Sequence, residues 1–397
     1  MGKEGDYSVP GFRAASGRVG IKRKGGDDVA LFLSDFPSVS CVVFTKNLVK
    51  AAPVHWARKA GCLDTLRGVF VNSGNANACT GDDGIARTEM VSRSLASCLK
   101  VPEGTVLISS TGIIGVPLPH KKIISGIGPL CDKLSPRRFS QAAKAMMTTD
   151  AFEKISSRKF SAGGRVLTIL GVAKGAGMIA PDMGTMLAYI FTDCRLKQER
   201  LERVFRQSVE QTFNRIIVDG DMSTNDTVAL LSNGATLPEP LKGRDVESFR
   251  DALTGVMGDL ALKIVSDGEG ASRVVRVEVK GAGSHRQAEA LARSIGTSLL
   301  VKTAICGGDL NWGRIVAAAG RAGVPFDSES FELFVGGTKI ISRGLKIRGG
   351  GLKRAKDNVQ GKYFEITILV GKGRGSYYVY TSDLTKAYVE LNSKYTT

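Results

Sequence analysis

Gly171 to Asp193 reads GVAKGAGMIAPDMGTMLAYIFTD, and its three parts set the frame for the whole chain. Val166 to Val172 ends a β-branched run that reads as a strand. A glycine-rich passage follows, Lys174-Gly175-Ala176-Gly177-Met178, and then a tight irregular segment, Ile179-Ala180-Pro181-Asp182-Met183-Gly184. Thr185 to Thr192 (TMLAYIFT) resumes β character. Two strands are thus separated by a glycine-rich passage and a tight, proline-containing segment. Working outward, Cys41 to Thr45, Val69 to Val71 and Thr105 to Ile108 read as further strands. The last two run into the small polar stretches Asn72 to Ala78 and Ser109 to Gly112, each expected to be a helix entrance with exposed backbone N–H groups.

On the other side, Leu201, Val204, Phe205, Val209 and Phe213 recur at helical spacing, predicting a helix over Gln198 to Asn214. Val246, Phe249, Leu253, Val256, Leu260 and Ile264 predict a second. Val275, Val277 and Val279 alternate with charged residues, as in a strand buried on one face. A long helical stretch begins near Ser284, strands follow at Phe331 to Val335, Tyr363 to Val370 and Tyr377 to Thr381, and a short helix starts at Asp383. Strands and helices alternate without the regular rhythm of a doubly wound sheet, so a layered α/β or α+β architecture is expected.

Composition narrows the function. At 397 residues with 43% hydrophobic and 23% charged residues, the chain has the balance of a soluble globular protein. Nothing approaches the ~20 apolar residues of a membrane span. The N-terminus lacks an apolar core, and Asp6 stands where a myristoylation start wants Ser or Thr, so a cytoplasmic protein is expected. The seven cysteines are scattered without C-x-x-C, which argues against a disulfide framework and against zinc; they read as small buried hydrophobes. Of the three histidines, His120 and His285 read as surface residues and His55 as packed or solvated, which favours chemistry without histidine. The net charge of +17 is spread along the chain, with no nucleic-acid module, and the basic stretch Ser342 to Arg354 reads as a Gly-rich loop between strands. Asp219 to Asp226 looks like the start of a calcium loop but lacks the central glycine and terminal glutamate, and reads as a polar turn.

The centre of the chain carries the chemistry. A hydroxyl set directly after a glycine, behind a proline turn and ahead of a strand, is a place to strain one peptide bond. Attack of the Thr185 hydroxyl on the Gly184 carbonyl gives an ester that water cleaves, leaving a chain that begins at Thr185. The freed α-amino group titrates near pH ~8 and serves as base beside its own hydroxyl. Spacing alone makes such a Gly-Thr pair an ordinary turn.

Longer motifs decide the matter: VPGFRAASG near the start, VNSGNANACTG at Val71 to Gly81, ISSTGIIGVPLP at Ile108 to Pro119 and MTTD at Met147 to Asp150. They continue with KGAGMIAPDMGTML at Lys174 to Leu187, SDGEGASR at Ser266 to Arg273 and NSKYTT at the end. In this order they resemble the ornithine acetyltransferase family, also called glutamate N-acetyltransferase, over nearly the whole chain. That resemblance implies a layered α/β sandwich of the ornithine acetyltransferase and β-peptidyl aminopeptidase type. It implies self-cleavage between Gly184 and Thr185 into pieces 1–184 and 185–397, paired as heterotetramers. By the same likeness Thr185 is the nucleophile, Thr111 and Gly112 form the oxyanion hole, and Thr148, Lys174, Thr185, Glu269, Asn392 and Thr397 bind substrate. Acetyl would pass from N-acetyl-L-ornithine to L-glutamate without cofactor or metal; family members that also take acetyl-CoA leave the donor open. Two positions depart from the family pattern: Gly184 replaces the usual alanine, and Asp182 a frequent asparagine. The rivals are an N-terminal-nucleophile aminopeptidase of the β-peptidyl type, which would hand the acyl group to water, and an uncut basic protein that binds polyanions.

Overall fold

The computed structural model describes residues 7–22, 25–180, 186–347 and 351–394. Gly184, Thr185 and Thr397 lie outside them.

Period-two burial builds the main body. In the strand Val29–Ser34, Ala30 and Phe32 join one core while Val29 and Leu31 join another. The strand Gly68–Asn75 splits Val69 and Val71 from Phe70 in the same way. These strands therefore have apolar layers on both faces, as a sandwiched sheet requires. They belong to a first sheet ordered Phe12–Gly17, Val29–Ser34, Gly68–Asn75, Val106–Ile113. Its outer face is covered by the helices Gly81–Leu99 and His120–Asp132, through Val91, Leu95, Ile123 and Ile127.

A second sheet is ordered Val39–Phe44, Thr227–Pro240, Leu187–Arg195, Arg165–Lys174, Lys154–Ala162. Leu170, Val172, Tyr189 and Phe191 face the first sheet, where Phe191 meets Phe12 and Phe32 at ring separations of 5.2 and 5.3 Å. Leu167, Ile169, Ala188 and Ile190 face away, into a core closed by the helices Gln198–Gln211 and Arg244–Ser266. The result is a helix–sheet–sheet–helix sandwich, a layered α/β fold. Its second sheet takes strands from both sides of residue 185, so one core unites the two parts of the chain.

Among the described residues the third sheet has seven strands, Leu345–Lys346, Thr338–Ser342, Glu332–Val335, Tyr363–Leu369, Val274–Ala282, Gly375–Ser382 and Ile216–Ile217 in spatial order. Val275, Val277 and Val279 pack beneath the helices His285–Gly296, Leu299–Cys306 and Trp312–Gly320. The single helical stretch expected after Ser284 is thus three helices, the first two begun by the caps Ser284 and Ser298.

Four further expectations are corrected. The polar runs after Val71 and Ile108 first prolong paired strands to Asn75 and Ile113, with Ser73 opposite Thr111 and Gly74 opposite Gly112; the first then leads to the helix Gly81–Leu99, and the second lies wholly within its strand. Their side chains satisfy one another inside the body: Ser110 Oγ donates to Asn72 Oδ1, and Asn225 Nδ2 donates to the carbonyls of Ala76 and Ser110. Ser342 to Arg354 is not one loop, because it contains the strand Leu345–Lys346 and enters the helix Gly351–Asn358. Only Cys41 and Cys194 are fully buried, while Cys79 and Cys98 are exposed. His120 is half-buried at the head of a helix rather than on the open surface.

Candidate functional site

A cavity of about 230 Å³ opens where the strand ends of both sheets meet the turn after Ser266 and the last helix, Lys386–Asn392. Thr111, Gly112, Thr148, Lys174, Glu269 and Asn392 all line it, from five separate stretches of sequence. Met186, the residue after Thr185, lines it as well.

Thr111 and Gly112 sit near the end of the strand Val106–Ile113. Gly112 has φ +134°, and a Cβ there would lie 2.3 Å from the carbonyl carbon of Gly74 on the parallel neighbour. Only glycine lets these two strands approach while leaving the peptide at the cavity wall. Lys174 ends the strand Arg165–Lys174, and its ammonium donates to Thr111 Oγ1 at 3.0 Å. Burial pushes the Lys174 ammonium below its ordinary value, and Lys154 pushes the same way; Asp150, Asp226 and Glu269 pull against them.

Thr148 lies in an irregular segment with few sheet or helix hydrogen bonds of its own. Asp150 fixes it: one carboxylate oxygen accepts from the Thr148 N–H at 3.0 Å, and the other from the Gly175 N–H and Lys154 Nζ, both at 2.7 Å. Burial acts to raise the Asp150 carboxyl, but Lys174, Lys154 and these hydrogen bonds outweigh it and hold the group at about 2.

Glu269 follows the helix Arg244–Ser266 and is tied down by its own N–H to the Ala176 carbonyl at 2.8 Å. A Cβ on Gly177 would meet the Glu269 carboxyl at 2.4–2.6 Å, so glycine is what allows this side chain to lie against the Gly-rich passage. Asn392 Nδ2 donates to Glu269 Oε2 at 2.8 Å. The helix bearing Asn392 is docked by Thr385 Oγ1 on the Gly270 carbonyl and by close approach of Gly270 to the Tyr388 backbone.

Sequence reasoning passed over part of the wall. The polar turn after Ile217 contributes Asp219, Asp221, Ser223, Asn225 and Asp226, and the last helix contributes Tyr388. Asp219 accepts from the N–H groups of Met178 and Ile179 at 2.6 and 2.8 Å, and so shapes the chain just before Pro181. Burial raises the Asp219 carboxyl against those bonds. The Tyr388 phenol is pushed up to about 12 by burial, with Asp219, Glu269 and Asp221 adding to the shift. The density of Asp and Asn directly after a short strand was the available signal. Among the described residues no group of three or more His, Cys, Asp or Glu side chains is placed to hold a metal ion, and no helix is long and apolar enough to cross a membrane.

Comparison with known proteins agrees with the order of the motifs. The model of the ArgJ family matches residues 13–397. The chain is 43% identical over 394 residues to the arginine biosynthesis bifunctional protein ArgJ of Geobacter sulfurreducens, covering 98% of this chain and 100% of that one. It is 40% identical over 389 residues to the protein of the same name from Nitratidesulfovibrio vulgaris, with coverage of 98% and 99%. The crystal structure of arginine biosynthesis bifunctional protein argJ from Bacillus halodurans is 34% identical, with a TM-score of 0.51, and spans 53% of this chain and 100% of its own. A family match running almost end to end, with full-length relatives at this identity, establishes that the chain belongs to the ArgJ family and is an acyltransferase.

Proposed function

We propose that this enzyme serves arginine biosynthesis by moving acetyl from N-acetyl-L-ornithine to L-glutamate through an acetyl–Thr185 intermediate. The observation that carries the proposal is the convergence of Thr111, Gly112, Thr148, Lys174 and Glu269 on one cavity that the chain re-enters at Met186, next to Thr185. Self-cleavage at Gly184/Thr185 is part of the reading. It is supported by the place of Met186, directly after Thr185, in the cavity wall beside Thr111 and Gly112.

In the transfer, the Thr185 hydroxyl attacks the acetyl carbonyl while its own α-amine takes the proton. The carbonyl oxygen becomes an oxyanion. Lys174 has only donors, so the Thr111 hydroxyl must accept from it. That leaves the single Thr111 proton for the oxyanion, alongside the Gly112 N–H, and the nearby ammonium strengthens the hydroxyl as a donor. Collapse breaks the amide bond, and the ammonium-borne proton leaves with ornithine. Glutamate reverses the steps. An amide is consumed and an amide is made, so no cofactor is required. Glu269 suits a substrate ammonium and Lys174 a carboxylate. The two pieces assemble as heterotetramers and act in the cytoplasm; the substrate role of Thr397, which lies outside the described residues, is carried by the family likeness alone.

Two measurements test this. Intact mass of the purified protein should give pieces meeting at Gly184/Thr185, abolished in Thr185→Ala. Labelled N-acetylornithine should label the Thr185-bearing piece, and glutamate should discharge the label faster than water. Discharge to water alone would mean a hydrolase, and a single uncut chain would remove the nucleophile from the mechanism. Replacing the donor with acetyl-CoA in the same assay decides whether it is a second donor.

A further inference from the structure

We infer that Lys154 is a positioning residue for acyl transfer: its buried ammonium, bridging Asp150 and Asp267, sets the spacing between Thr148, Lys174 and Glu269. The inference rests on the acyl-transfer reading of the cavity.

Lys154 itself does not line the cavity. Its side chain is 0% exposed, as is that of Asp150, and that of Asp267 is 4% exposed. Nζ lies 2.7 Å from Asp150 Oδ1 and 2.6 Å from Asp267 Oδ2. Each carboxylate then reaches into a different part of the site. Asp150 accepts from the N–H groups of Thr148 and Gly175, the latter adjacent to Lys174. Asp267 accepts from the Ala151 N–H at 3.0 Å and stands two residues before Glu269. One ammonium therefore ties together the Thr148 segment, the end of the strand carrying Lys174 and the turn carrying Glu269.

Stability alone does not account for the trio. Desolvating three charges cancels most of what their attraction returns, and well-packed apolar residues commonly do as well. What apolar residues cannot do is accept three backbone N–H bonds at fixed points in segments that lack regular structure. Lys154 can act as a fixed reference because it opens the strand Lys154–Ala162 and pairs in register with Ala173, beside Lys174. The trio also sets the charge balance around Lys174, because Asp150, bonded directly to Lys154, supports the Lys174 ammonium while Lys154 opposes it.

The test compares the wild type with Lys154→Met and Asp267→Asn, reading KM and kcat per titrated active site together with self-cleavage and thermal unfolding. Asparagine is nearly isosteric and keeps an acceptor for Ala151, so it decides the matter where the methionine variant fails to fold. Lys154→Met should raise KM for both amino-acid substrates by about tenfold to hundredfold, as misplacement by an ångström does. Asp267→Asn should raise KM by about fivefold and melt below the wild type, yet stay folded because Asp150 still pairs with Lys154. The inference is overturned if either folded variant keeps wild-type KM and loses only the fraction of active molecules, as a purely structural role requires. A wild type without any transfer would instead bring down the functional reading itself.

Discussion

Replacing Thr111 with valine removes one hydroxyl and almost nothing else. The side chain keeps its shape at the end of the strand Val106–Ile113, but Oγ1, which accepts from Lys174 Nζ at 3.0 Å, is gone. Two consequences can be given magnitudes. Losing one preorganised oxyanion donor costs about 10²–10³ in kcat, or roughly 2.7–4 kcal/mol of barrier. Losing the neutral acceptor of a partly buried ammonium costs about 1 kcal/mol of stability, because Asp150, Asp226 and Glu269 still face Lys174. The first effect should therefore dominate, and it should fall on the chemical step. Rapid-quench measurement of ornithine release in a single turnover isolates that step, and it is to be run on protein already cleaved at Gly184/Thr185 so that processing and transfer are not confused. The expected result is a first turnover slowed by about two to three decades with KM near the wild-type value. A first turnover within about threefold of the wild type would refute the assignment of Thr111 to the oxyanion. So would a loss that appears wholly in KM, which would make the hydroxyl a ground-state contact.

Gly177→Ala places a Cβ 2.4–2.6 Å from the Glu269 carboxyl, so that carboxyl must move, and KM for the amino-acid substrates should rise by about tenfold with self-cleavage intact. Asp219→Ala leaves the N–H groups of Met178 and Ile179 without their acceptor, and should slow self-cleavage in a mass-spectrometric time course while leaving transfer by cleaved protein less affected. The Asp150 carboxyl is held at about 2 against an ordinary 3.8, a depressed value, so its contribution is fully present above pH ~4 and is lost as pH falls through about 2. Asp150→Asn should therefore lower unfolding free energy by about 2 kcal/mol at pH 7, with the difference from the wild type shrinking over that acid window in denaturant titrations. Lys302, 1% exposed and bonded to Thr381 and Ser382, has its ammonium lowered to about 8 by burial despite Asp383 and Asp219. Its folded value is also depressed, so the wild type should gain stability relative to Lys302→Met as pH rises from about 8 to 10, by up to about 3 kcal/mol.

The layering was legible because it rests on local periodicity. Val275, Val277 and Val279 alternate, and Leu201, Val204, Phe205 and Val209 recur at helical spacing, so each element carries its own signal. The extension of two strands through Asn72 to Asn75 and Ser109 to Ile113 was not legible. Those residues have the composition of a loop, and they are held in strands by partners far off in sequence, above all Asn225, whose amide reaches Ala76 and Ser110. A buried polar side chain makes a strand possible here by satisfying the backbone groups that an apolar neighbour would leave bare. The same distance effect hid Lys154. Read in sequence, a lysine among serines at the start of a strand is a surface charge. Its meaning comes from Asp267, 113 residues away.

The candidate site divides along the same line. Thr111, Lys174 and Glu269 are ordinary residues singly, and only the order of the long motifs around them marks them for chemistry. The turn Asp219 to Asp226 shows the limit of motif reading: judged against a calcium loop it fails, and the failure conceals that its carboxylates and amides are aimed inward. Asp219 spends both oxygens on the backbone at Met178 and Ile179, the chain's approach to Gly184 and Thr185, while Asn225 holds the strands that carry Thr111. The turn thus joins the approach to the nucleophile with the oxyanion wall. A change at Asp219 should therefore fall on processing and a change at Asn225 on the oxyanion wall and transfer, whereas a change at Lys154 should disturb transfer alone. That separation follows from where each group's hydrogen bonds end, and it gives the two halves of the mechanism distinct experimental signatures.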